Sequence, residues 1–191
     1  ALDANTTGSE NVAIGRLSLS ANTTADNNTA CGVQALMVNT TGENNSAFGA
    51  ASLDANTTGD QNTGFGYGTL TSNTTANNNT AVGFSALLLN TTGTRNTAVG
   101  SLAGDAITTG SNNVAVGDNS LSSLSTGDNN TALGRAALNA CSTAEENTAV
   151  GTSSLLNCST GAQNTGVGFL TLEDLTTASH NTAVGRESSK N

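Results

Sequence analysis

The sequence predicts an all-β fold, a parallel β-solenoid (β-roll) of about eleven 17-residue coils. Three observations predict it. Asparagine recurs without insertion at Asn11, Asn28, Asn45, Asn62, Asn79, Asn96, Asn113, Asn130, Asn147, Asn164 and Asn181. Glycine stands four residues after each of them, from Gly15 to Gly185. Each repeat is too short for a helical hairpin, and its turn-forming small residues bound β-prone runs of four to six residues.

In chain order, residues 1–10 form the second half of a repeat, because Asn5-Thr6-Thr7-Gly8 matches Asn90-Thr91-Thr92-Gly93. Ten full repeats occupy 11–180, and 181–191 supply a partial coil and a polar tail, with no linker or second domain. Neither end carries an obvious cap, so flanking domains or partners are expected to cover the terminal strands.

Stacked repeats are read as columns, numbered from the asparagine. The fourth, Ile14, Cys31, Phe48, Phe65, Val82 and onward to Val184, is apolar in every copy and is expected to point into the core. The ninth is leucine except at Gly104, where Leu102 is expected to fill the gap. The twelfth is Asn5, Asn22, Asn39, Asn56, Asn73 and Asn90, then Ile107, Leu124, Cys141, Cys158 and Leu175. A position accepting both kinds faces inward, with the asparagines bonding their amides up the stack. The cysteines are an odd set and read as small buried apolar residues rather than a disulfide framework or zinc site.

Alternation then turns the second column and the invariant threonines of the fourteenth (Thr7 to Thr177) inward, and the third outward. The third holds only Ala13, Ala30, Ala47, Gly64, Ala81, Ala98, Ala115, Ala132, Ala149, Gly166 and Ala183. Either another backbone approaches it, making it a candidate subunit interface, or the curvature of the coil restricts its size.

Composition excludes several functions. A net charge of -9 with five basic residues repels phosphate backbones and anionic lipid, so no nucleic acid is expected as a partner. No apolar run is long enough to insert in a membrane as a helix. Catalysis needs unlike groups converging on one spot, and the single histidine, His180, has no identifiable partner; no enzyme, cofactor or metal site is expected. Asp26, Glu43 and Asp60 stack in the sixteenth column as weak candidates for a surface cation. Tyr67 and Phe84 share the sixth column as a candidate surface contact patch. The recurrent Asn-Thr-Thr matches a glycosylation acceptor, but its inward asparagine makes it structural. An ice-binding face needs flat outward ranks of threonine, and the one expected outward rank, the thirteenth, is interrupted by Ser125, Ser142 and Ser159.

The unit in residues 78–93, Asn-Asn-Thr-Ala-Val-Gly followed by Ala86-Leu87 and Asn90-Thr91-Thr92-Gly93, resembles repeats of bacteriophage tail-fibre and related surface proteins. Val12-Ala13-Ile14-Gly15 is similar to the shorter repeats in the heads of YadA-like trimeric adhesins. The resemblance spans nearly the whole chain. It implies a left-handed β-roll, a homotrimer, and display on a virion or cell surface for attachment to a host receptor or glycan. The rival expectation is a secreted monomeric solenoid that binds an extended lattice such as ice or polysaccharide.

Overall fold

A computed structural model describes residues 1–189; the last two residues of the polar tail, 190 and 191, lie outside the described residues. The described chain is all-β. Eleven three-residue strands, β1 (Val12–Ile14) to β11 (Thr182–Val184), form one parallel sheet in chain order. Register follows the repeat, with Thr63 opposite Thr80, Gly64 opposite Ala81 and Phe65 opposite Val82. At about 4.8 Å per strand the stack is roughly 50 Å long.

The strands are shorter than the four to six residues expected, and each coil contributes only one. The remainder is turn, built on left-handed residues at the seventh, ninth and seventeenth positions, such as Ser85 (φ 52°), Leu87 (φ 51°) and Arg95 (φ 58°). Their amides bond alternately to the coils on either side: Leu87 N–H donates to Ala103 O at 3.0 Å, Ser85 N–H to Tyr67 O at 2.9 Å. Inter-coil bonding thus continues around the turns without a second sheet. Asparagine, which tolerates the left-handed region, holds the seventeenth position at Asn27, Asn44, Asn78, Asn112 and Asn129.

The ninth-column leucines are the core, fully buried from Leu19 to Leu155 apart from the Gly104 level. Each contributes about 1.5–3 kcal/mol. At Gly104 the space is filled by Ile107 and Leu87, whose δ-carbons lie 3.0 and 3.3 Å from where a Cβ would stand. Leu102, expected there, is only half-buried.

The strand faces are inverted relative to the sequence expectation. The second and fourth positions share one side and the third takes the other, as alternation demands, but it is the third that points inward. Ala30, Ala47, Ala81, Ala98, Ala115, Ala132 and Ala149 are buried within the single chain, with Ala13 partly so. The column is small because the leucines and the eighth-position side chains leave room for little more than one carbon. Glycine replaces alanine in the two repeats that carry threonine at the eighth position, Gly64 with Thr69 and Gly166 with Thr171. A Cβ at Gly64 would strike Ser52 Oγ of the preceding coil and lie 2.7 Å from Thr69 Oγ1, and one at Gly166 would lie 2.7 Å from Ser154 Oγ, again of the preceding coil. The candidate subunit interface is therefore an interior seam.

The twelfth-column ladder forms as expected. Asn22, Asn39, Asn56, Asn73 and Asn90 each donate Nδ2 to the Oδ1 of the asparagine one coil before, at 2.8–3.3 Å. The same amides donate to the carbonyl three residues on, as Asn39 does to Gly42 O at 2.8 Å. The first-column asparagines form a second ladder that the sequence reading did not assign. Asn45 Oδ1 accepts the backbone N–H of Asn62 at 2.9 Å, while Asn45 Nδ2 donates across the coil to Gly59 O at 2.8 Å. All are buried from Asn28 to Asn164, so the letter that marks the period is also an internal strut.

Candidate functional site

With alanine inside, the outer face of the sheet carries the fourth column, and it is apolar over its whole length. Ile14 is 60% exposed, Phe65 57% and Val184 69%, with Phe48, Val99 and Leu133 also exposed and Val82, Val116, Val150 and Val167 half-buried. Cys31, expected in the core, belongs to this outer column and is half-buried. Beside it runs the second column, threonine at Thr29, Thr63, Thr80, Thr97, Thr131, Thr148, Thr165 and Thr182. The Phe48 and Phe65 rings lie 5.5 Å apart, tilted by 31°.

The fourteenth column is also inverted. All its threonines, from Thr7 to Thr177, are exposed, where the sequence reading placed them inward. The thirteenth is half-buried over most of its length, and its hydroxyls donate to the next coil, as Thr57 Oγ1 does to Thr74 O at 3.0 Å and Ser142 Oγ to Ser159 O at 3.1 Å. Serine serves that bond equally well, which accounts for the interruptions at the thirteenth position. No such exchange occurs at the fourteenth.

Tyr67 and Phe84 meet as expected, ring centroids 5.7 Å apart and planes 9° from parallel, with both rings largely exposed. Each follows a turn glycine, Gly66 (φ 139°) or Gly83 (φ 135°), held in a conformation that no other residue adopts readily. Any Cβ there would also strike the next coil's carbonyl.

The acidic column serves the backbone. Asp26 Oδ1 accepts the Ser9 N–H at 2.6 Å, Asp60 Oδ1 the Glu43 N–H at 2.8 Å, and Asp128 Oδ1 the Ser111 N–H at 2.7 Å. Asn77 and Ser111 do the same elsewhere in the column, so the bond needs an acceptor and not a charge, and Ala162 shows that the coil also forms without it. Among the described residues no three of His, Cys, Asp and Glu cluster so as to hold a metal ion. Asp54 and Asp105, at the tenth position, each keep one carboxylate oxygen buried without a hydrogen-bond partner. Burial pushes both carboxyls up, against smaller opposing contributions from backbone amides.

Cys141 and Cys158 are buried free thiols in the twelfth column. Burial, and secondarily the neighbouring Cys158, pushes the Cys141 thiol up to about 12. Such a thiol stays protonated and unreactive. Cys158 Sγ donates to Gly161 O at 3.3 Å, the carbonyl position that an asparagine amide takes in the first half.

No protein-family model, no curated protein and no solved structure matches this chain.

Proposed function

We propose that this chain is a non-enzymatic structural and attachment segment, a left-handed solenoid that associates through the outer face of its sheet into a homotrimeric rod of a phage fibre, virion surface or adhesin. The observation that carries the reading is the fourth column. An outward apolar strip of eleven levels, six of them exposed and five half-buried, far exceeds the scattered apolar residues of an ordinary surface. Its side chains vary in size but not in polarity, from valine through leucine to phenylalanine. That is the tolerance of a protein interface, where each level packs against its counterpart in another copy. Three sheets facing one axis bury the strip along its length and leave the turns free for contact with a receptor.

Solution mass tests this directly, with a species three times the 18.8 kDa chain expected. Val116→Asp, on the outer face, is expected to split the assembly while leaving the coil folded. Cys31, the one cysteine on that face, is expected to give a covalent dimer on mild oxidation. A folded monomer at tens of micromolar overturns the proposal.

A second reading, lattice binding by a monomer, draws on the fourteenth column. Its threonine never varies although it is exposed, and a ligand with its own fixed repeat would account for such uniformity. Inhibition of ice recrystallisation by a monomer, lost in Thr75→Lys, would favour it.

A further inference from the structure

The sixth column lies beyond the turn glycine, off the sheet face, and its residues vary: Arg16, Val33, Ala50, Tyr67, Phe84, Ser101, Asp118, Arg135, Thr152, Phe169 and Arg186. Its three aromatic rings stand at two places, which differ in what covers them. At the C-terminal end the Arg186 guanidinium lies over the Phe169 ring, 5.5 Å from its centroid, and is held by Glu187 through bonds from Nε and Nη2 at 3.2 and 3.1 Å. The ring lies against the planar cation and the carboxylate accepts at its N–H edge, and the guanidinium comes from the next coil's sixth position. One coil step therefore suits a guanidinium stacked on a ring.

Tyr67 and Phe84 cover one face of each other. The residues next in the column are Ala50 and Ser101, too small to cover the outer faces, and both rings stay more than half exposed. Two coils beyond Phe84 stands the exposed Asp118, whose Oδ2 accepts Asn119 Nδ2 at 2.9 Å; Arg135, next in the column, forms no ion pair with it, so further lone pairs remain for a donor. Phe84 and Asp118 are separated by roughly 10 Å along the stack. That distance leaves room for a guanidinium on the ring, at the spacing seen over Phe169, with its N–H edge turned toward the carboxylate.

We propose that Tyr67, Phe84, Ser101 and Asp118 form a docking site for an exposed arginine of a basic protein partner, with Phe84 stacking on the guanidinium and Asp118 accepting its N–H groups. The charge balance of 14 acidic against five basic residues favours a cationic partner at this surface. Arginine suits the site better than lysine because its planar head stacks and bonds in separate directions. The site goes beyond the trimeric-rod reading and does not depend on it.

Tyr67 is the single tyrosine and tryptophan is absent, so intrinsic emission reports on this site alone. Titration of the full chain with hexa-arginine in about 0.15 M salt is expected to change that emission saturably. Hexa-lysine is expected to bind about fivefold more weakly, and Asp118→Asn and Phe84→Leu are each expected to weaken hexa-arginine by about fivefold or more. Phe84→Leu keeps apolar bulk and removes only the ring face, so circular dichroism is expected to be unchanged. Glu10→Gln, an acidic residue at the far end, is expected to shift binding less than about twofold. No saturable response, an equal loss in Glu10→Gln, or a response to methyl glycosides but not to hexa-arginine would overturn the site. Because the readout is independent of assembly state, a monomer that binds hexa-arginine refutes the rod alone.

Discussion

The two halves of the rod share one backbone and are filled differently. Up to Asn90 the twelfth column is a chain of amide hydrogen bonds; from Ile107 onward it is hydrocarbon and sulfur. The backbone path does not change at the switch, since the first-column asparagines and the backbone bonds continue through it, while the ninth column gives way to Gly104 in the coil where Ile107 enters. The difference teaches that the twelfth column fills the coil without shaping it, provided that neighbours match. Where they do not, one atom bears the mismatch. Asn90 Oδ1 is buried and has no partner, because Ile107 supplies no donor where the next asparagine amide would stand. The ladder is directional, with donors toward the N-terminus and acceptors toward the C-terminus, so the unpaired group falls on its last acceptor.

The largest effect should strike both halves alike. Leu53→Asp and Leu138→Asp each bury a charge in the shared ninth column and should cost more than about 4 kcal/mol, abolishing cooperative unfolding by circular dichroism. Exchanging the halves' own filling should cost less. Asn56→Leu leaves Asn39 Oδ1 without its donor and Asn73 Nδ2 without its 2.9 Å acceptor, a loss of about 1–3 kcal/mol in denaturant titration. Leu124→Asn, which puts a lone amide between Ile107 and Cys141, should lose a similar amount; no loss in either would show that the column is wet rather than packed. Gly64→Ala should cost about 1–3 kcal/mol through its contacts with the Ser52 and Thr69 hydroxyls, and less in a background with Ser52→Ala and Thr69→Ala together.

The junction should respond weakly. Asn90→Leu only transfers the unpaired acceptor to Asn73, so its net effect should stay below about 1 kcal/mol. Asp105, beside the junction, gives the smallest effect. Its carboxyl is raised by burial, so the folded chain holds the proton more tightly than the unfolded chain, and stability falls as pH rises from the ordinary carboxylate value through the raised one. Asp105→Asn should therefore raise the melting temperature at pH 7 and leave it unchanged at about pH 3, below both values.

Legibility differed from column to column for physical reasons. Leucine at the ninth and the interchange of asparagine with isoleucine or cysteine at the twelfth can only mean burial, and both lie where they were expected. Strand alternation was readable as well, but only as a relation among neighbours. Its absolute phase rested on the premise that the apolar column must be the inner one, and that premise failed for Val82 against Ala81. One sequence signal pointed the right way, the coincidence of Gly64 with Thr69 in one repeat, whose Oγ1 lies 2.7 Å from where a Gly64 Cβ would stand, since only residues that touch need to compensate in size. The exposed threonines of the fourteenth column carried no such signal. The Tyr67 and Phe84 pair was visible from its 17-residue spacing, whereas the worth of Ser101 and Asp118 beside it emerges only from the Phe169 and Arg186 stack.

By itself the sequence determined the period, the in-register parallel stack, the leucine core and the asparagine ladder, because a strict repeat allows each residue to meet only its own equivalents in neighbouring coils. Tertiary structure decided which face of the strand is interior. The ninth-column leucines occupy the width of the coil and leave the opposite strand room for a methyl group, and that volume limit sends the valines outward to meet whatever lies beyond a single chain.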